Sequence, residues 1–73
     1  MDIKEIKNLL DNAANKRNKI AMFHYLTLKY AQQLKNEDPK EFCRIVGMRE
    51  SYATEFLKMR ALSTLMQEQN LSL

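Results

Sequence analysis

Ile3, Ile6, Leu9, Leu10 and Ala13 recur at steps of three and four residues, with Lys4, Glu5, Lys7 and Asn8 between them. That is the period of a helix with one apolar face. It predicts a first helix over about residues 2 to 14, capped by Asp2. The stretch "ANKRNKIA" that follows leaves two readings open. Asn15 can end the first helix and Asn18 can cap a second. Alternatively, with no Gly or Pro to force a break, one helix runs through and carries Arg17 at an otherwise apolar position. A short break is the preferred reading. In "KIAMFHYLTLKYAQQL" the apolar positions Ile20, Phe23, Leu26, Leu28, Tyr30, Ala31 and Leu34 spread around more than one face. A helix of that kind is the buried centre of a domain or touches a second chain. Asn36 should loosen its end.

The sharpest local signal is "NEDPKEF". Asp38 is a good N-cap, and Pro39 suits the first helical position, where its missing N–H costs nothing. Glu41, three residues after Asp38, stands in the capping-box position. A helix should start at Pro39 and end at Gly47. The next begins between Arg49 and Ser51, and Tyr52, Phe56, Met59, Leu62, Leu65 and Met66 carry its stripe to about Gln67. A frayed tail is expected over 69–73. The pattern predicts one all-α domain over residues 1–73, a small bundle of four or five helices.

Composition supports this. Helix formers abound, and a single Gly and a single Pro leave little punctuation for hairpins. The chain is 73 residues long, so its core is small, and its one Cys cannot form an internal disulfide. With one Cys and one His there is no zinc spacing. No paired carboxylates, nucleophile arrangement or phosphate-cradling loop appears, so no enzyme, cofactor or metal is expected. Twelve basic and nine acidic residues give a net charge of +3, which permits a polyanionic partner without demanding one. The N-terminus is charged from its second residue and no apolar run reaches membrane-spanning length, so neither a signal peptide nor a membrane partner is expected. A free Cys suits a reducing compartment, and the expected location is the cytoplasm.

The chemistry concentrates in "EFCRIVGMRESYATEFLKMR", residues 41–60. Phe42 and Val46 form an apolar stripe, and Cys43, four residues before the glycine, is small enough to let another helix pass closely. Gly47 supplies a left-handed turn, Met48 points back into the core, and Ala53 and Phe56 lie three apart on the next helix. Over about residues 39–58 this resembles the helix-turn-helix of small phage-repressor-like DNA-binding proteins, in which the glycine is followed by an apolar residue and then by a helix that enters the major groove. The helix-turn-helix would span about 39–60. The resemblance implies that the outward residues Arg49, Glu50, Ser51, Thr54, Glu55 and Lys58 face base edges. Lys40, Arg44 and Arg60 would hold phosphates, with Lys16, Arg17 and Lys19 as a second patch. Glu50 and Glu55 argue against such a face, because carboxylates are repelled by phosphates unless they are paired.

Each of these residues also has a plainer reading. Cys43 is a small core residue rather than a redox switch, and His24 a helix-face residue rather than a base. The Lys16–Arg17–Lys19 cluster suits a solvated helix junction. The methionines fill core gaps, and the tyrosines pack with their hydroxyls at the surface, although Tyr52 lies close enough to the outward face to stack on a base. The sequence points to a sequence-specific binder of double-stranded DNA, a transcriptional regulator occupying an operator as a homodimer. The dimer surface would come from Ile20–Leu34 or from Leu62, Leu65 and Met66. The alternative is a helical protein-interaction module, an inhibitor or adaptor, that never meets nucleic acid.

Overall fold

The computed structural model describes residues 2–13 and 15–71. Among them there is no strand, and the fold is all-α. α1 spans Ile3–Asp11, and its cap is the Asp2 carboxylate, which accepts from the Lys4 N–H at 3.3 Å. Ile6 and Leu10 are fully buried, whereas Leu9 stays exposed. The helix stops three residues short of the expected end, and Ala14 lies outside the described residues.

α2, Lys16–Lys29, is a separate helix. Its cap is Asn15 and not Asn18. The Asn15 backbone is extended, which lays its side-chain oxygen 2.9 Å from the Asn18 N–H, so Asn18 sits inside the first turn. α2 ends at Lys29, and residues 30–36 continue as turns that still bury Ala31 and Leu34. Part of the apolar excess of this segment is used internally, against α1 and α4, while Ile20, Met22, Leu28 and Tyr30 stay half-buried and Tyr25 exposed. Phe23, Leu26 and Thr27 are buried, and the Thr27 hydroxyl is satisfied by donating to the Phe23 carbonyl at 2.7 Å.

α3 spans Pro39–Ile45. The Asp38 carboxylate accepts from the Glu41 N–H at 2.9 Å, but the Glu41 side chain turns to Arg44 instead of back to Asp38, so only half of a capping box forms. The helix closes in a Schellman turn: Met48 N–H donates to the Cys43 carbonyl at 2.8 Å and Gly47 N–H to the Arg44 carbonyl at 3.2 Å. Gly47 has φ +81°, and a Cβ there would meet no atom within 4 Å. The glycine is needed for its backbone angle and not for space. A 3-10 turn over Glu50–Tyr52 then runs straight into α4, Ala53–Glu68.

α4 ends in a second turn of the same kind, with Asn70 at φ 56° and Leu71 N–H donating to the Met66 carbonyl at 2.7 Å. Residues 69–71 of the expected frayed tail thus close α4, and 72–73 lie outside the described residues.

A line of aromatic rings ties the helices together. Tyr52 meets Phe23 edge-on at 5.9 Å, Phe23 lies 6.2 Å from Phe42, and Phe42 lies 4.8 Å from Phe56. Phe42, Cys43 and Val46 are fully shielded, and Met48, Ala53 and Phe56 are buried beside them. The stripe expected along α4 splits. Phe56 is buried and Tyr52, Met59 and Met66 are half-buried, but Leu62 and Leu65 are exposed together with Leu57. The split follows the faces of the helix: Phe56, Met59, Arg60, Ser63 and Met66 share the covered side, whereas Leu57, Leu62 and Leu65 lie off it.

Candidate nucleic-acid interface

The four residues Val46–Arg49 separate α3 from the helix that starts at Glu50, a connection of helix-turn-helix length. Arg49 is the N-cap of that helix, and no side chain caps it. Arg49, Glu50, Ser51, Thr54 and Lys58 are exposed, while Glu55 is half-buried. These are the outward residues expected from the sequence.

The two carboxylates among them are both held. Glu50 Oε1 lies 3.5 Å from Arg44 Nε. Glu55 lies 3.4 Å from Lys58 Nζ through one oxygen and 3.4 Å from His24 Nε2 through the other. Such exposed pairs contribute little to stability, but they turn negative charge toward the protein's own cations. Arg44 is engaged on both sides, by Glu41 and by Glu50. His24 links α2 to α4 through Glu55, and its Nε2 is shielded and has no hydrogen bond.

Arg60 does not stand ready for a phosphate. Its Nη2 donates to the Leu34 carbonyl at 3.2 Å and the Glu37 carbonyl at 3.1 Å, and its guanidinium lies 4.7 Å from the Phe56 ring centre. Turn carbonyls that no helix satisfies have captured it. The i, i+4 spacing of Phe56 and Arg60 was the available signal for the ring contact, whereas the two carbonyls are more than twenty residues away in the chain. Tyr52 is likewise drawn inward, onto Phe23. Burial pushes the Cys43 thiol up from its ordinary range, and the Glu50 carboxylate adds to the effect. That environment suits a packed thiol rather than a reactive one.

The remaining cations fall in two places. Lys40 is exposed on α3. Lys16, Arg17 and Lys19 form the first turn of α2, and folding carries that turn to the Gly47 loop, where Lys19 Nζ lies 3.5 Å from the Gly47 carbonyl. Lys16, Lys19 and Arg49 line one shallow cavity of about 330 Å³. This neighbourhood of residues 28 and more apart was not visible in the sequence.

A family model described as an HTH-like domain matches residues 3–69. The chain belongs to the HTH-like domain family. The match extends well beyond the stretch that carries the resemblance, so α1 and α2 are part of the HTH-like domain and not additions to it. Comparison with curated proteins and with solved structures returns no significant match. Among the described residues of this HTH-like domain no helix is long and apolar enough to cross a membrane, and no group of His, Cys, Asp or Glu side chains is placed to hold a metal ion.

Proposed function

We propose that this HTH-like domain binds double-stranded DNA in a sequence-specific way and regulates transcription by occupying an operator. The observation that carries the reading is the state of the helix after Gly47. Its outward side presents Ser51, Thr54 and Lys58 to solvent, while Glu50 and Glu55, the residues that would repel a phosphate backbone, are paired with Arg44 and Lys58. Ser and Thr hydroxyls can reach several base edges in the major groove, and Lys58, one turn further on, suits a phosphate or a guanine. Lys40 supplies a backbone contact from α3.

Two copies act together in this proposal, because one short helix reads few base pairs and paired half-sites raise both affinity and specificity. Leu62 and Leu65, exposed on α4, supply the apolar surface for the second copy. The same exposed leucines also favour a second reading, a protein-interaction module that uses α4 and does not bind nucleic acid.

Selection of bound duplexes from random DNA, followed by a salt titration on the selected site, separates the two. The DNA reading expects one preferred motif, binding that weakens steeply with salt, and a relaxed preference at single base positions in Ser51→Ala and Thr54→Ala. Absence of binding to any duplex at low salt would remove it in favour of the interaction module.

A further inference from the structure

Arg49 was grouped with the base-reading residues because it opens the helix after the turn. Its surroundings indicate another role. It shares its cavity with Lys16 and Lys19, so three cationic side chains from two elements far apart in sequence open on one mouth. The floor is apolar, made by Ile20, Met48 and Tyr52. No acidic side chain lines this cavity, and the nearest carboxylate in sequence, Glu50, is turned toward Arg44. None of the three cations is paired with a carboxylate among the described residues.

Three like charges converging around a small apolar depression repel one another. An anion among them would replace that repulsion with attraction. A phosphate diester fits on both counts: its oxygens take charge-assisted hydrogen bonds from ammonium and guanidinium groups, and the adjoining sugar can rest on Ile20, Met48 and Tyr52. Two elements hold the cations in place. Asn15 caps α2 and thereby sets the first turn that carries Lys16 and Lys19. The Schellman turn at Gly47 sets the backbone that leads into Arg49.

We infer that Lys16, Lys19 and Arg49 form a single phosphate-holding site for one DNA strand beside the groove, and that Arg49 positions the backbone rather than reading a base. The inference rests on the DNA-binding reading and deepens it. Base readout then begins at Ser51, and α2 joins α3 and α4 as a DNA-contacting element through its first turn.

The test measures the dependence of affinity on salt for the selected duplex. Each phosphate neutralised contributes about 0.9 to the slope of log K against log salt. Because one phosphate is held, the double variant Lys16→Gln/Lys19→Gln should flatten that slope by up to about 0.9, and Arg49→Gln by no more than that, each leaving the preferred base sequence unchanged. Glutamine keeps most of each stem in place over the apolar floor, and thermal melting checks that the variants fold. The double variant Lys4→Gln/Lys35→Gln removes the same net charge outside the cavity and should leave the slope as it was. A slope in Lys16→Gln/Lys19→Gln no flatter than in that control overturns the site. Relaxed preference at one base position in Arg49→Gln overturns the backbone role of Arg49. Failure of the unaltered chain to bind any duplex overturns the DNA reading and this inference together, whereas the first two results leave the DNA reading standing.

Discussion

At the scale of single residues, the two left-handed positions offer an internal comparison. Gly47 has φ +81° and Asn70 φ 56°, and each follows the last turn of a helix and makes the same pair of backbone hydrogen bonds. Because a Cβ at Gly47 meets nothing within 4 Å, the cost of Gly47→Ala is confined to the backbone. It should amount to about 1–2 kcal/mol, the penalty of placing a residue with a Cβ in the left-handed region. Asn tolerates that region better, so Gly47→Asn should lose clearly less, as read from urea denaturation midpoints. Equal losses for the two variants would mean that the backbone angle is not the cause.

Cys43 gives a second expectation at this scale. Its thiol is buried and its pKa is raised, mainly by that burial, so it stays protonated through neutral pH. Alkylation by iodoacetamide at pH 8 should proceed no faster than opening of the fold, and should accelerate in step with unfolding as urea is added. The raised folded-state pKa also means that the packed thiol contributes its stability below the ordinary thiol pKa. That contribution is lost as pH rises through the higher folded value.

At the scale of elements, the connection between α2 and α3 is held from a distance. Residues 30–36 form turns, and Arg60 reaches across from α4 to bond the carbonyls of Glu37 and of Leu34, the latter also accepting from the Glu37 N–H at 3.0 Å. Arg60→Ala should cost about 2 kcal/mol of folding stability, in the range for hydrogen bonds to a charged group. Arg60→Lys should recover only part of it, since one ammonium can serve both carbonyls as Nη2 does but cannot stack its plane on Phe56. Both variants should leave the salt slope of DNA binding unchanged, and a flatter slope in Arg60→Lys would return Arg60 to the phosphate-contacting set.

For the molecule as a whole, the exposed leucines of α4 are the apolar surface that the proposed pairing of two copies uses. Leu62 and Leu65 are 38% and 49% exposed, on the side of α4 turned away from buried Phe56 and Ser63. Under the proposed function they meet a second copy. The double variant Leu62→Glu/Leu65→Glu should sediment as a monomer at tens of micromolar where the unaltered chain sediments as a dimer. Its melting temperature should lose the dependence on protein concentration that a dimer shows, while the monomer still unfolds cooperatively, because neither leucine is part of the packed core. A monomeric unaltered chain would remove the paired-copy part of the proposal.

Local signals determined much of this fold. Asp38-Pro39 started α3 where expected, because a cap and a fixed φ act within four residues. Gly47 closed it, because a left-handed angle is a property of one residue. The motif residues from Phe42 to Phe56 could be read as inward-facing because helical periodicity needs no knowledge of the neighbouring helices. The tertiary structure decided what depends on contacts between distant segments. It chose Asn15 over Asn18 as the cap of α2 and stopped that helix at Lys29. It buried Phe23 and Leu26 of α2 and left Leu57, Leu62 and Leu65 of α4 open. It drew Arg60 onto the carbonyls of a loop more than twenty residues away and gathered Lys16, Lys19 and Arg49 around one cavity. The physical reason is the same in each case. Caps and turns are settled by bonds within a few residues, whereas the role of a long charged side chain depends on which carbonyl, ring or like charge folding brings within its reach.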